Sequence, residues 1–207
     1  MTTTFSDMHE PANSEGFEQV LGQLQASGQG LNRARVLGII GCRSGDGATF
    51  VLGALARLLA TRSRKRILQA DCLDLFAASG LAPAELLAHC WFTDQPGRWI
   101  LSPAEGTSAS RFDESGPEGN LRHAMSVLNS QFDFVLLDCG AVTASGRFWH
   151  LAPVIDDLLL VVAAGETRRD QVFYAQRIIE QSGSRLSGCI LNKRTYPLPP
   201  LIHRLLS

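Results

Sequence analysis

From Arg35 onward the chain alternates short, mainly apolar runs with stretches of helical periodicity. The runs are Arg35–Gly41 (Val36, Leu37, Ile39, Ile40), Arg66–Ala70, Phe134–Leu137, Asp157–Ala163 and Leu186–Asn192. Between them, helices are expected from about Thr49 to Thr61, over Leu81–Cys90 after Pro83, over Leu121–Asn129 and over Asp170–Ser182. A strand with only one buried face alternates apolar and polar residues, so a continuous apolar run means burial on both faces. Strands of that kind separated by helices require a doubly wound α/β fold, a mostly parallel sheet with helices on both faces. Residues 92–119 read as loop, with a strand only at Arg98–Leu101, and no internal repeat is visible.

The flanks are less regular. Residues 1–13 read as a disordered extension, and Ser14 caps an expected helix through Glu15 to Ala26 that buries Phe17, Val20, Leu21 and Leu24. Residues 14–207 then form one domain with a tail from about residue 195. Hydrophobic residues at 45% and charged residues at 19% suffice for a substantial core. A formal net charge of −1 advertises neither nucleic acid nor an anionic membrane. The basic run Arg62–Arg66 reads as a solvated turn between helix and strand. The five cysteines (Cys42, Cys72, Cys90, Cys139, Cys189) are odd in number, widely spaced and without a C-x-x-C pair. They fit reduced core residues of a cytoplasmic protein better than a disulfide frame or a zinc site. No apolar stretch is long enough to span a bilayer, and Met1–Ala12 is polar and acidic, unlike a signal peptide. The histidines show no ligand spacing, and Ser44 and Ser145 lie in no G-x-S-x-G elbow.

The loop after the first strand carries the chemistry: Gly41-Cys42-Arg43-Ser44-Gly45-Asp46-Gly47-Ala48-Thr49-Phe50. Strand, glycine-rich loop and helix together present backbone N–H groups to phosphate, and Gly45 and Gly47 permit the conformations such a cradle needs. Thr49 stands where a hydroxyl would reach Mg²⁺. The phosphate-loop pattern G-x-x-x-x-G-K-[ST] demands lysine where this chain has Ala48 and glycine where it has Cys42. By spacing alone, an ordinary strand-to-helix turn remains an open reading. Two further acids favour a nucleotide site: Asp138 ends the run Phe134–Leu137 and Asp71 ends Arg66–Ala70, both at strand carboxyl ends where open parallel sheets bind ligands.

Taken in order, these segments resemble the ParA/MinD-like branch of P-loop proteins, and within it the cytoplasmic tyrosine-kinase-like domains of bacterial exopolysaccharide synthesis (the CapB/CpsD type). Residues 14–21 resemble that family's upstream helix, Arg35–Phe50 its Walker A region, Arg66–Asp71 its Walker A′ and Phe132–Val142 its Walker B strand. Asp156–Thr167 resembles its D-x-x-L-L-V-V-x-A-G-x-T strand, and Gly188–Arg194 the segment whose asparagine lies near the base. The resemblance implies ATP or ADP with Mg²⁺ as the ligand, held by Arg43, Ser44, Gly45, Asp46, Gly47, Ala48, Thr49, Phe50 and Asn192, with Thr49, Asp71 and Asp138 on the metal if nucleotide binds. It also implies a membrane-bound polysaccharide synthesis or export protein as partner, a second copy of the chain as a further one, and a place at the inner face of the membrane.

The departures fall on the chemistry. Ala48 removes the lysine that would neutralise phosphate charge, and phosphoryl transfer depends almost wholly on such electrostatics. Arg43 takes the place of the additional signature lysine of the branch. The tyrosine-rich tail that the resembled kinases phosphorylate is missing, since only Tyr174 and Tyr196 are present. The tail Thr195–Leu206 begins as an extended proline segment and reads either as a docking element or as a segment that packs back on its own sheet. The expectation is therefore a non-catalytic or weakly active kinase-like or ATPase-like protein in extracellular polysaccharide synthesis or export, with no catalytic residue assigned. The alternative is an active ParA/MinD-type ATPase in which Arg43 replaces the missing lysine. A DNA-partition role sits poorly with the near-neutral charge.

Overall fold

The computed structural model describes Gly22 and residues 33–102, 117–143 and 148–193. The chain divides into two compact units, residues 1–32 and residues 33–207, of which the second carries the sheet. The expected extension over residues 1–13, most of the helix expected from Glu15 to Ala26, and the tail from Thr195 lie outside the described residues.

In chain order the second unit runs β1 (Arg35–Gly41), α1 (Ala48–Arg62), β2 (Ile67–Asp71), α2 (Cys72–Ala78), α3 (Pro83–Ala88), β3 (Cys90–Phe92), β4 (Arg98–Leu101), α4 (Pro117–Gln131), β5 (Phe134–Ala141), α5 (Phe148–Leu151), a 3₁₀ turn at Ala152–Val154, β6 (Asp157–Ala163), α6 (Arg169–Gln181) and β7 (Leu186–Asn192). The seven strands form one sheet in the order β3-β4-β2-β5-β1-β6-β7. Every described pairing is parallel except that of β3 with β4. This is the doubly wound, mostly parallel sheet that the apolar runs predict.

Strand alternation sorts the core into two layers. One sheet face carries Leu68, Ala70, Val135, Leu137, Leu158, Leu160 and Val162, packed with Phe76, Leu86, Leu121, Leu128, Leu151, Ala175 and Ile179 from the helices. The intervening strand residues Leu37, Ile39, Ile67, Leu136 and Val161 are equally buried on the other face. That face is crossed by α1, which packs on β1, β2 and β5 and buries Val51, Leu52, Leu55 and Leu59. Helix α1 is therefore apolar over most of its circumference, because it is buried deeply rather than laid on a surface.

The amino edge of the sheet is pinned by charge. Arg35, buried at the start of β1, donates from Nε to Asp157 Oδ2 (2.8 Å), whose other oxygen accepts from Ser187 Oγ. Arg33 pairs with Asp156, which also accepts from the Val36 N–H at 2.9 Å. The basic turn after α1 is fixed by Asp133, which accepts from Arg66 N at 2.8 Å and from Lys65 Nζ at 3.3 Å.

The topology reverses at β1. The chain leaves β1 for β2 across β5, and later leaves β5 for β6 across β1. The carboxyl end of β1 is thus the switch point of the sheet, where connections to opposite sides open a crevice. The glycine loop, residues 42–47, stands there.

Candidate functional site

Five strand ends meet at this crevice, and each brings part of the sequence-predicted set. Asp71 and Asp138 are paired in register across β2 and β5, and Ile39 lies beside Asp138 on β1. Asp138 is buried and accepts the Thr49 hydroxyl at one oxygen and the Gly140 N–H (2.9 Å) at the other. Asp71 caps α2 by accepting the Leu73 N–H at 2.7 Å. Burial first, and the neighbouring Asp138 charge second among the raising causes, hold the Asp71 carboxyl above its ordinary range. Asp74 is raised likewise, by burial and then by Asp71. Thr49, Asp71 and Asp138 are thus brought to one place, as an oxygen donor set of two carboxylates and a hydroxyl. Mg²⁺ is bound by one or two such groups, with waters and phosphate completing an octahedron, so the residues fit that ion. Among the described residues no group of three or more His, Cys, Asp or Glu could hold a metal by itself.

The glycine loop is built for its turn. Gly45 and Gly47 have φ of +88° and +93°, in the left-handed region where a Cβ is penalised. Gly47 is the N-cap of α1 and its carbonyl accepts Val51 N–H at 3.0 Å. The N–H groups of Ala48, Thr49 and Phe50 are the donors that an α-helix leaves unsatisfied at its start. They open toward the crevice with the positive end of the helix dipole. In shape this is an anion cradle. Its cation is missing, because the side chain at the first helical position is the methyl of Ala48, with the residue only 8% exposed.

Other predicted residues are committed to holding the loop. Asp46 is 2% exposed; one of its oxygens accepts the Arg43 N–H at 2.9 Å and the other the Thr167 hydroxyl at 3.0 Å. Thr167 in turn accepts the Ala163 N–H, which ties the loop to the end of β6. Asn192, at the end of β7, donates from Nδ2 to the Asp46 carbonyl at 2.9 Å. Arg43 donates to the Glu166 carbonyl at 3.2 Å, and the Glu166 carboxylate pairs with Lys193 at 3.1 Å. Ser44 and Phe50 are exposed. Burial, with Asp46 nearby, pushes the Cys42 thiol up to about 11, so it is an inert wall of the loop rather than a nucleophile.

Three residues of this arrangement had no assigned role in the sequence. Thr167 lies inside the segment that carries the family resemblance, but its spacing gives no hint that it reaches Asp46. Glu166 and Lys193 meet only through the fold. Lys193 has φ of +56°, the one non-glycine residue in that region among those described.

The rim of the crevice is apolar. Phe50 on the first turn of α1, Leu73 on the first turn of α2 and Trp149 in α5 are each exposed by more than two-fifths. Phe76 and His150 meet edge to face at 6.4 Å, which joins α2 to α5 and sets Leu73 and Trp149 on neighbouring helices.

No protein-family model matches the chain, and no curated protein matches it in sequence. In structure it is similar to the kinase domain of the Escherichia coli tyrosine kinase ETK, with a TM-score of 0.68 at 19% identity over 89% of this chain and 78% of that one. It is similar to the chimerical protein CapA2B2, with a TM-score of 0.71 at 14% identity over 92% and 88% of the two chains. The septum site-determining protein MinD from Pyrococcus horikoshii OT3, solved with Mg-ADP, superposes with a TM-score of 0.59 at 18% identity over 84% of this chain and 77% of that one. The chain therefore has the P-loop fold shared by bacterial tyrosine kinase domains and ParA/MinD-type ATPases.

Proposed function

We propose that this chain is a kinase-like or ATPase-like protein without effective phosphoryl-transfer activity, which supports synthesis or export of an extracellular polysaccharide by binding a membrane-bound partner. The observation that carries the reading is the loop itself: its backbone cradle is complete while the lysine position is the buried methyl of Ala48. A preorganised positive charge at the transferring phosphoryl group contributes on the order of 10²-fold or more to rate. Arg43 is held on the Glu166 carbonyl, which weighs against its standing in for that charge. ATP or ADP with Mg²⁺, where bound at Thr49, Asp71 and Asp138, acts as a conformational ligand rather than a substrate. The sequence resemblance to exopolysaccharide-linked domains supports the pathway, and the apolar rim of Phe50, Leu73 and Trp149 supports a protein contact at the crevice mouth. The partner holds the chain at the inner face of the membrane; no described helix is long and apolar enough to cross one.

The test pairs chemistry with biology. Purified protein should show no Mg²⁺-dependent ATP turnover, alone or with membranes of the producing cell, and Arg43→Ala should change nothing. In cells lacking the gene, Arg43→Ala should restore polymer output, whereas Leu73→Asp combined with Trp149→Asp should not. Turnover that Arg43→Ala abolishes would establish the ATPase reading instead.

A further inference from the structure

The amino ends of β2 and β4, on the side of the sheet away from the crevice, gather cations beside exposed aromatic rings. Arg62, Arg64, Lys65 and Arg66 are all exposed in the turn from α1 to β2. Arg57 of α1 lies close enough to Arg98 that, after burial, its charge is what lowers the Arg98 guanidinium from its ordinary value. Against these cations stand Asp133, which meets the Lys65 ammonium at 3.3 Å, and the exposed Asp94. The chain's net charge of −1 therefore conceals a strongly positive corner.

Two aromatic side chains adjoin that corner. Trp91 and Phe92, on the outermost strand β3, are 63% and 60% exposed. Residues 93–97, which follow them, run straight to the basic turn. Gln95 Nε2 donates to the Arg57 carbonyl at 3.0 Å and to Thr61 Oγ1 at 2.9 Å, and the Gly97 carbonyl accepts the Ile67 N–H at 2.8 Å. Phe92 pairs with Trp99 of β4, which pairs with Leu68 of β2, so two strand spacings of about 5 Å separate it from the start of β2. Successive strand residues point to opposite faces, so Trp91 and Phe92 flank the strand as a wedge and do not share a plane. Phe92 is steadied by Trp99, edge to face at 5.0 Å.

We propose that this corner docks directly on an anionic lipid bilayer, with the basic turn on the headgroups and Trp91 and Phe92 entering the interface. Aromatic rings with a polar handle settle at headgroup level, and long cationic side chains reach the phosphates beside them. Each Lys or Arg held near an anionic leaflet strengthens binding by about fivefold. An apolar insertion alone or a basic patch alone anchors weakly, and the two together suffice. A single-stranded nucleic acid needs aromatic rings presented as a stacking platform along a groove, which a wedge does not supply. Docked in this way, the chain keeps the crevice, at the opposite ends of β2 and β5, turned from the bilayer and open to a protein.

Flotation of the purified full chain with protein-free vesicles tests this without any membrane-bound partner. Vesicles of phosphatidylcholine and phosphatidylglycerol in equal parts should carry the chain, vesicles of phosphatidylcholine alone should not, and added salt should weaken the binding. Arg64→Glu, a change of two charges, should weaken it about 25-fold, and Trp91→Ser about tenfold. Both positions are exposed, so the fold is kept, as thermal midpoints verify. Bromine on the acyl chains should quench tryptophan emission, and Trp91→Phe should remove that quenching while Trp149→Phe leaves it. Absence of binding to the anionic vesicles, binding that ignores both charge and ring variants, or quenching that follows Trp149 overturns the proposal. Tighter binding of a single-stranded oligonucleotide, lost in Trp91→Ser, also overturns it and makes nucleic acid the occupant.

Discussion

The Asn192 side chain fills the space that a Cβ at residue 47 would need: an ideal Cβ built on Gly47 lies 2.2 Å from Asn192 Nδ2. The same amide holds the Asp46 carbonyl at 2.9 Å, so the end of β7 and the N-cap of α1 lock together through one side chain. Gly47 is thus required twice, for its φ of +93° and for the space Asn192 occupies.

Gly47→Ala should therefore destabilise the fold by more than the roughly 1–2 kcal/mol of a left-handed residue alone. Asn192→Ala should cost about 1 kcal/mol for its hydrogen bond. The double variant should be less destabilised than the sum, with a coupling of about 1 kcal/mol or more, because removing the Asn192 side chain relieves the clash. Urea titration of the four proteins measures the cycle. Strict additivity would show that Asn192 does not brace the loop.

Asp46 makes a second prediction, opposite in kind to that for a ligand-binding residue. Asp46→Ala takes a buried acceptor from both the Arg43 N–H and the Thr167 hydroxyl, and should cost about 3 kcal/mol. Thr167→Val, which removes one of those bonds from the far side and with it the acceptor of the Ala163 N–H, should cost about 2 kcal/mol. Both follow from denaturant midpoints without nucleotide. A stable Asp46→Ala protein would return Asp46 to the set of direct nucleotide contacts.

Here the limits of the sequence can be seen residue by residue. The strands at Arg35–Gly41 and Asp157–Ala163 were legible to the residue, because burial on both faces leaves a nearly continuous apolar run; Leu186–Asn192 was equally legible although one face of this edge strand is exposed. Helix α2 was not, since Asp71 reads as a strand-end acid while it also caps the helix that begins at Cys72. Strand β3 was hidden because Cys90-Trp91-Phe92 continues the apolar character of the helix before it, and only pairing with β4 makes it a strand. Trp91 is 63% exposed on that edge, whereas Trp99 packs edge to face on Phe92 and Phe132. At the site, the glycines and strand-end acids were legible because backbone geometry selects them. The roles of Asp46, Thr167 and Asn192 as braces depend on contacts between loops far apart in the chain, which no spacing rule encodes.

Asp71 carries a pH prediction. Its carboxyl is raised by burial and by Asp138, so the native state keeps a proton that the unfolded chain releases near its ordinary value of 3.8. Stability from this group is full below that value and is lost as pH rises through the higher native one. Asp71→Asn keeps the cap on the Leu73 N–H, since asparagine caps as well as aspartate, and removes the charge. The variant should be more stable than the parent at neutral pH, and the difference should vanish in acid below the unfolded value. Thermal midpoints across that range decide it; a variant less stable at pH 7 would mean that the Asp71 charge is compensated in the native fold.

The strongest prediction concerns the missing cation. If the cradle around Gly47–Phe50 is intact and lacks only its charge, Ala48→Lys should restore Mg-ATP binding without any other change. A ligand held by the native state at about 100 times its dissociation constant adds roughly 2.7 kcal/mol, several degrees of midpoint for a domain this size. The parent protein under the same millimolar nucleotide should shift by much less, and both should behave alike without ligand. Because Asp71 and Asp138 already face each other across β2 and β5, the shift in the variant should require Mg²⁺ and disappear with chelator. Turnover is not expected to follow binding in full, since Arg43 remains on the Glu166 carbonyl. A parent protein that shifts as far as Ala48→Lys would show that backbone N–H groups alone hold the phosphates, and the nucleotide would then be a resident ligand of the natural protein.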